Sequence, residues 1–122
     1  MTRATVDPPL PEGTVTVLST DLVGSTLLNQ RLGDAAATAV ERELAALAQE
    51  QVDRRRGVLS KDTGDGLMGA FQSARRARAC AQEIQRSIAQ RNRAHLDVQV
   101  QLRIGLHTGE VLTEDGGLHG ET

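Results

Sequence analysis

Gly57-Val58-Leu59-Ser60-Lys61-Asp62-Thr63-Gly64-Asp65-Gly66-Leu67-Met68-Gly69-Ala70-Phe71 reads as two short arms around a tight turn. The arms are rich in residues that suit a pleated, half-buried surface. Thr63-Gly64-Asp65-Gly66 supplies the Asp-Gly pair whose positive φ angles close a hairpin. On both sides the chain becomes helical. Upstream, Val40, Leu44, Leu47 and Gln51 fall at i, i+4, i+7 and i+11, and Ala48 widens the stripe. That helix ends in the run Asp53-Arg54-Arg55-Arg56. Downstream, Ser73 is placed to cap a long helix with Ala77, Cys80, Ala81, Ile84 and Ile88 on one face. Arg75, Arg76 and Arg78 sit in its first turns, where the helix dipole disfavours cations.

Each helix leads outward to a strand. Thr14-Val15-Thr16-Val17-Leu18-Ser19-Thr20 is short and β-branched, with Asp21 at its end. Gly24-Ser25-Thr26 then punctuates the chain and predicts a helix start capped by Ser or Thr, and Gly33-Asp34 breaks that first helix. Near the far end, residues 97–106 predict the clearest strand: Val98, Val100, Leu102, Ile104 and Leu106 alternate with Gln99, Gln101, Arg103 and Gly105. His107-Thr108-Gly109-Glu110-Val111-Leu112 continues or bends it, and Glu114-Asp115-Gly116-Gly117 is a further turn. The order is βαββαβ. It predicts an α+β, ferredoxin-like core, a mostly antiparallel sheet with helices on one face. Residues 1–13, with Pro8, Pro9 and Pro11, read as a flexible lead-in to a single domain over 14–122.

Composition narrows the function. A chain of 122 residues with 39% apolar and 25% charged side chains holds one globular core. Fourteen basic against sixteen acidic residues, net charge −2, argue against a general nucleic-acid binder. Phe71 is the sole aromatic residue, too few for a base-stacking platform. Cys80 is the sole cysteine, so there is no internal disulfide or cysteine-based zinc site, and a reducing cytoplasm fits. No apolar run approaches the ~18 residues of a membrane span. Lys61 is the sole lysine among the fourteen basic residues; it is a compact ammonium in an arginine-rich chain, or a chance survivor of composition.

Two segments are candidates for chemistry. Asp21-Leu22-Val23-Gly24-Ser25-Thr26 places a carboxylate at a strand end before a small-residue turn into a helix. Backbone N–H groups at a helix start hold phosphate oxygens, and a divalent metal reconciles the carboxylate with that phosphate. Read alone, the segment is also an ordinary strand end and helix cap. Asp65 at the hairpin tip is by itself an ordinary turn residue. In a βαββαβ sheet the first strand lies beside the hairpin, so Asp21 and Asp65 are expected to meet at one edge and hold Mg²⁺ or a metal pair for phosphoryl chemistry. Arg103, on the polar side of its strand, is placed to reach a phosphate or to remain a solvated arginine. The match of Gly64-Asp65-Gly66-Leu67-Met68-Gly69 to a dinucleotide fingerprint is rejected, because the fingerprint opens a helix and this stretch runs into a strand arm.

The three blocks at residues 14–26, 61–71 and 102–111, in this order and spacing, resemble the catalytic domain of the class III nucleotidyl cyclases, the adenylate/guanylate cyclase family. The resemblance implies that Asp21 and Asp65 are the metal-binding aspartates. It implies that Leu22 lends a backbone carbonyl to a metal, and that Val23, Gly24, Ser25 and Thr26 form the loop over the phosphates. Arg103 then approaches the terminal phosphates, and Lys61 reads adenine. The implied reaction converts ATP to 3′,5′-cyclic AMP and pyrophosphate with two Mg²⁺ or Mn²⁺ ions, in a homodimer or with a partner cyclase domain. Val23 departs from the acidic residue frequent in relatives. The family pattern continues past Gly120-Glu121-Thr122 into elements carrying a second purine-reading residue and the Asn and Arg that stabilise the transition state. The expectation is therefore the N-terminal part of a cyclase domain, with little turnover by itself. The competing reading is a non-catalytic nucleotide-binding or dimerisation module of a larger signalling regulator.

Overall fold

The computed structural model describes residues 13–62, 66–114 and 117–121. In chain order the elements are β1 (Gly13–Leu22), α1 (Ser25–Leu32), α2 (Asp34–Arg54), β2 (Val58–Asp62), β3 (Leu67–Phe71), α3 (Ala74–Ala94), β4 (Leu102–Glu114) and β5 (Gly117–Glu121). The strands form one sheet in the order β2-β3-β1-β4-β5, and every neighbouring pair is antiparallel. The expected ferredoxin-like core is present as β2-β3-β1-β4, with β5 added at the edge. The expected lead-in before Gly13 and the Asp65 and Asp115-Gly116 turns lie outside the described residues; Gly13 itself already pairs with Val111 in the sheet.

Alternation sorts the sheet into two faces. Leu18, Leu22, Leu67, Phe71 and Leu102 pack with Leu44, Ala48 and Val52 of α2 and with Ala77, Cys80, Ile84 and Ile88 of α3. Phe71, Leu18, Ile84 and Val52 are fully buried, and each contributes about 1.5–3 kcal/mol of apolar transfer. The dinucleotide fingerprint is excluded here too, since Leu67–Phe71 is a strand.

Two local expectations are corrected. The residue capping α1 is Gly24, with a left-handed φ of 69° and no side-chain hydrogen bond, rather than Ser25 or Thr26, which are already helical. By contrast Ser73 caps α3 as expected, its hydroxyl accepting from the Arg76 N–H at 3.2 Å. The strand expected over 97–106 starts only at Leu102. Side chains of α3 satisfy the preceding backbone instead. The Asn92 amide donates to the Val100 carbonyl at 2.8 Å and accepts from the Val100 N–H at 3.0 Å, and Arg91 donates to the Val98 carbonyl. Val98 and Val100 still pack on the core, so the alternating pattern reflects burial without a neighbouring strand.

Candidate active site

Asp21 lies between the buried Thr20 and the buried Leu22 at the end of β1. Leu22 turns into the core while Asp21 stands on the helix-free face, its side chain 56% exposed. Directly opposite on β4 is Arg103, whose Nη2 donates to Asp21 Oδ2 at 3.3 Å. Both groups are solvated, so the pair is worth at most about 1 kcal/mol and leaves the carboxylate open to a stronger ligand.

The hairpin is clamped one residue before Asp21. The buried Thr20 hydroxyl accepts from the Leu67 N–H at 3.1 Å. A methyl group at Gly66 would lie 2.1 Å from the Thr20 carbonyl oxygen, so only glycine permits this approach. Asp65 precedes Gly66 in the chain, and its position relative to Asp21 lies outside the described residues. After Asp21 the chain turns sharply. The Val23 N–H donates to the Gln101 carbonyl at 2.9 Å, which ties the loop to the approach to β4. Gly24 adopts its left-handed conformation, and the Leu28 N–H bonds its carbonyl at 2.9 Å to open α1. The first N–H groups of a helix have no carbonyl four residues back, so those of Ser25 and Thr26 stand at the start of α1, four and five residues after Asp21 in the chain. The Val23 N–H, by contrast, is already engaged.

A scan against family models matches residues 9–120 to the adenylate and guanylate cyclase catalytic domain. The chain belongs to this family. An uncharacterised Mycobacterium tuberculosis protein is 37% identical over 107 residues, covering 86% of this chain and 34% of the relative. A Rhizobium meliloti protein named "Putative adenylate cyclase 3" is 31% identical over 106 residues, covering 86% of this chain and 18% of the relative. The chain thus spans about a third or less of the length of these curated relatives. Among solved structures, an adenylate/guanylate cyclase/hydrolase from Silicibacter pomeroyi superposes with a TM-score of 0.72 at 28% identity, covering 90% of this chain and 64% of that one. The monomeric guanylyl cyclase domain of a Blastocladiella emersonii fusion protein superposes at 0.78 with 21% identity, a likeness of fold.

In this cyclase domain the sheet register relates the remaining candidates. Lys61 pairs with Met68, Met68 with Ser19, and Ser19 with Gly105, forming one row across four strands. Asp21 and Arg103 occupy the next row of the same face. Two strand spacings and one two-residue step separate Lys61 from Asp21, roughly 12 Å between Cα atoms. A shift of register between Leu59 and Lys61 brings Lys61 into this row.

The donors suit a hard divalent cation in part. Among the described residues no group of three or more His, Cys, Asp or Glu side chains forms a self-sufficient metal cage. Mg²⁺ does not require one, since it is commonly held by one or two carboxylates plus substrate phosphates. Asp21 is an exposed carboxylate beside a helix start, which fits that mode. Sequence reasoning missed Thr20, Gly66 and Gln101 as the residues that fix the site. The Gly66 signal was available, since a glycine after the turn marks a close backbone approach. The Thr20 and Gln101 contacts are long-range and leave no local pattern.

Proposed function

We propose that this chain supplies the metal- and triphosphate-binding half of a nucleotidyl cyclase site and acts on ATP to form 3′,5′-cyclic AMP. The observation that carries the reading is the exposed Asp21 at the end of β1, flanked by the left-handed turn into α1, the Arg103 guanidinium and the hairpin clamped at Gly66. In the reaction the ribose 3′-oxygen bonds to the α-phosphorus, the bond from that phosphorus to the bridging oxygen breaks, pyrophosphate leaves and the hydroxyl proton is released. Asp21 and Asp65 would hold Mg²⁺ or Mn²⁺, with the Leu22 carbonyl as a further donor. When bound, such an ion supplies positive charge to the phosphoryl oxygens and the attacking hydroxyl. The loop at Val23, Gly24, Ser25 and Thr26 cradles the triphosphate, chiefly through the N–H groups at the α1 start. Arg103 engages the terminal phosphates, and Lys61, paired with Met68 on the neighbouring strands, reads the base.

The remaining transition-state groups would be supplied by a partner cyclase domain that carries them. Coverage of about a third or less of the curated relatives' length also supports a second reading, a nucleotide-binding module inside a larger regulator. Product analysis of the chain together with a partner cyclase domain, with ATP, GTP and Mn²⁺, separates them. Cyclic AMP that disappears in Asp21→Ala is the expected result. Tight nucleotide binding with no cyclic product would favour the regulator, and cyclic product undiminished by Asp21→Ala would refute the assigned role.

A further inference from the structure

We infer that Arg103 guards Asp21 against cations arriving without a nucleotide, so that metal loading of this site is conditional on the triphosphate. The inference rests on the proposed reading of Asp21 as a metal ligand and concerns what the site does before substrate binds.

The contact is built into the sheet. Asp21 and Arg103 are paired residues of antiparallel neighbours, which holds their Cα atoms about 4.5–5.5 Å apart. Among the described residues, Arg103 is the sole hydrogen-bonding and ion-pairing partner of the Asp21 side chain. The pair is exposed and long, at 3.3 Å, so it is readily released. A bare divalent cation at Asp21 must displace the guanidinium and then tolerate a positive charge a few ångströms away. A cation arriving with a triphosphate meets the opposite situation, because the guanidinium can leave Asp21 for phosphate oxygens and form charge-assisted bonds there. The same residue therefore opposes one ligand state and supports the other. That is a coupling between two ligands, and it is reciprocal by linkage.

The test measures Mn²⁺ binding to the chain by electron paramagnetic resonance, without nucleotide and with 3′-deoxy-ATP, which lacks the attacking hydroxyl. Wild type is compared with Arg103→Ala, Arg103→Lys and Asp21→Asn, with folding of each checked by circular dichroism. Removing the competing charge should tighten binding of Mn²⁺ alone by about three- to fivefold in Arg103→Ala, the upper end of what a screened charge pair at the surface is worth. Arg103→Lys, which keeps the charge, should stay within about twofold of wild type. With 3′-deoxy-ATP present the gain in Arg103→Ala should vanish or reverse. An Arg103→Ala variant that binds Mn²⁺ alone no more tightly than wild type, or not measurably, overturns the guard. If Asp21→Asn binds Mn²⁺ as well as wild type, the metal role of Asp21 falls as well, and that outcome is distinct from the first.

Discussion

At Gly66 the absence of one carbon lets the hairpin close on β1. A Cβ there would sit 2.1 Å from the Thr20 carbonyl oxygen, a backbone atom that cannot swing aside. Gly66→Ala should push the start of β3 away from Thr20 and weaken the Leu67–Thr20 hydrogen bond. We expect a loss of about 1–3 kcal/mol in urea denaturation, the range for inserting a methyl into a packed contact. An unchanged midpoint would mean that the clamp is not tight. Lys61 carries a different prediction, tied to the proposed base-reading role. An ammonium is a donor suited to one acceptor nitrogen of adenine, and guanine offers a donor at the corresponding place. With the chain assembled on a partner cyclase domain, Lys61→Glu should lower the ATP-to-GTP ratio of kcat/KM by an amount corresponding to about 1–3 kcal/mol, since the wrong base leaves a polar group unpaired. An equal ratio in wild type and variant would reduce Lys61 to a solvated strand residue.

Among the elements, α3 does more than fill the core. Its Asn92 amide takes both backbone groups of Val100, as a neighbouring strand would. Asn92→Leu should remove the side-chain partner of that part-buried N–H and carbonyl and cost about 1–3 kcal/mol in all, read as a lowered Tm. The same contact explains why the strand before Leu102 could not be read correctly. Apolar alternation reports which side chains are buried, and Val98 and Val100 are packed on the core, but it cannot report whether the backbone partner is a strand or an amide side chain. The long stripes of α2 and α3 were legible because burial on a single helix face repeats every 3.6 residues. Cys80, on the α3 stripe, is fully buried, and desolvation raises its thiol from an ordinary 9.0 to about 11, against a smaller lowering by Arg55. The unfolded thiol then loses its proton first. Its contribution to stability is intact below about pH 9 and is lost as pH rises towards about 11. Urea midpoints should fall across that window in wild type and fall less in Cys80→Ala; parallel pH profiles for the two would contradict the assignment.

Across the whole molecule, the two faces of the sheet divide the labour. One face carries the helices and the core, and the other carries Asp21 and Arg103. The division follows from strand alternation, which is why the βαββαβ order and the polar strand positions were readable in the sequence. The loop geometry was not readable in the same way, because a left-handed Gly24 and a tie from Val23 to Gln101 depend on contacts distant in the chain. Along β4, residues 102–109 have no strand neighbour on the side away from β1 among the described residues, and Leu106 there is 44% exposed.

The proposed site binds a divalent cation and a triphosphate together at the end of β1. Paramagnetic broadening of backbone amide signals by Mn²⁺ in the presence of 3′-deoxy-ATP locates the ion directly. The Asp21, Leu22, Gly24, Ser25 and Leu67 signals should be lost selectively, with the signals of the α3 carboxyl-terminal turn retained, and no selective loss should occur in Asp21→Ala. Broadening centred elsewhere, or the same losses in Asp21→Ala, would contradict the proposed site.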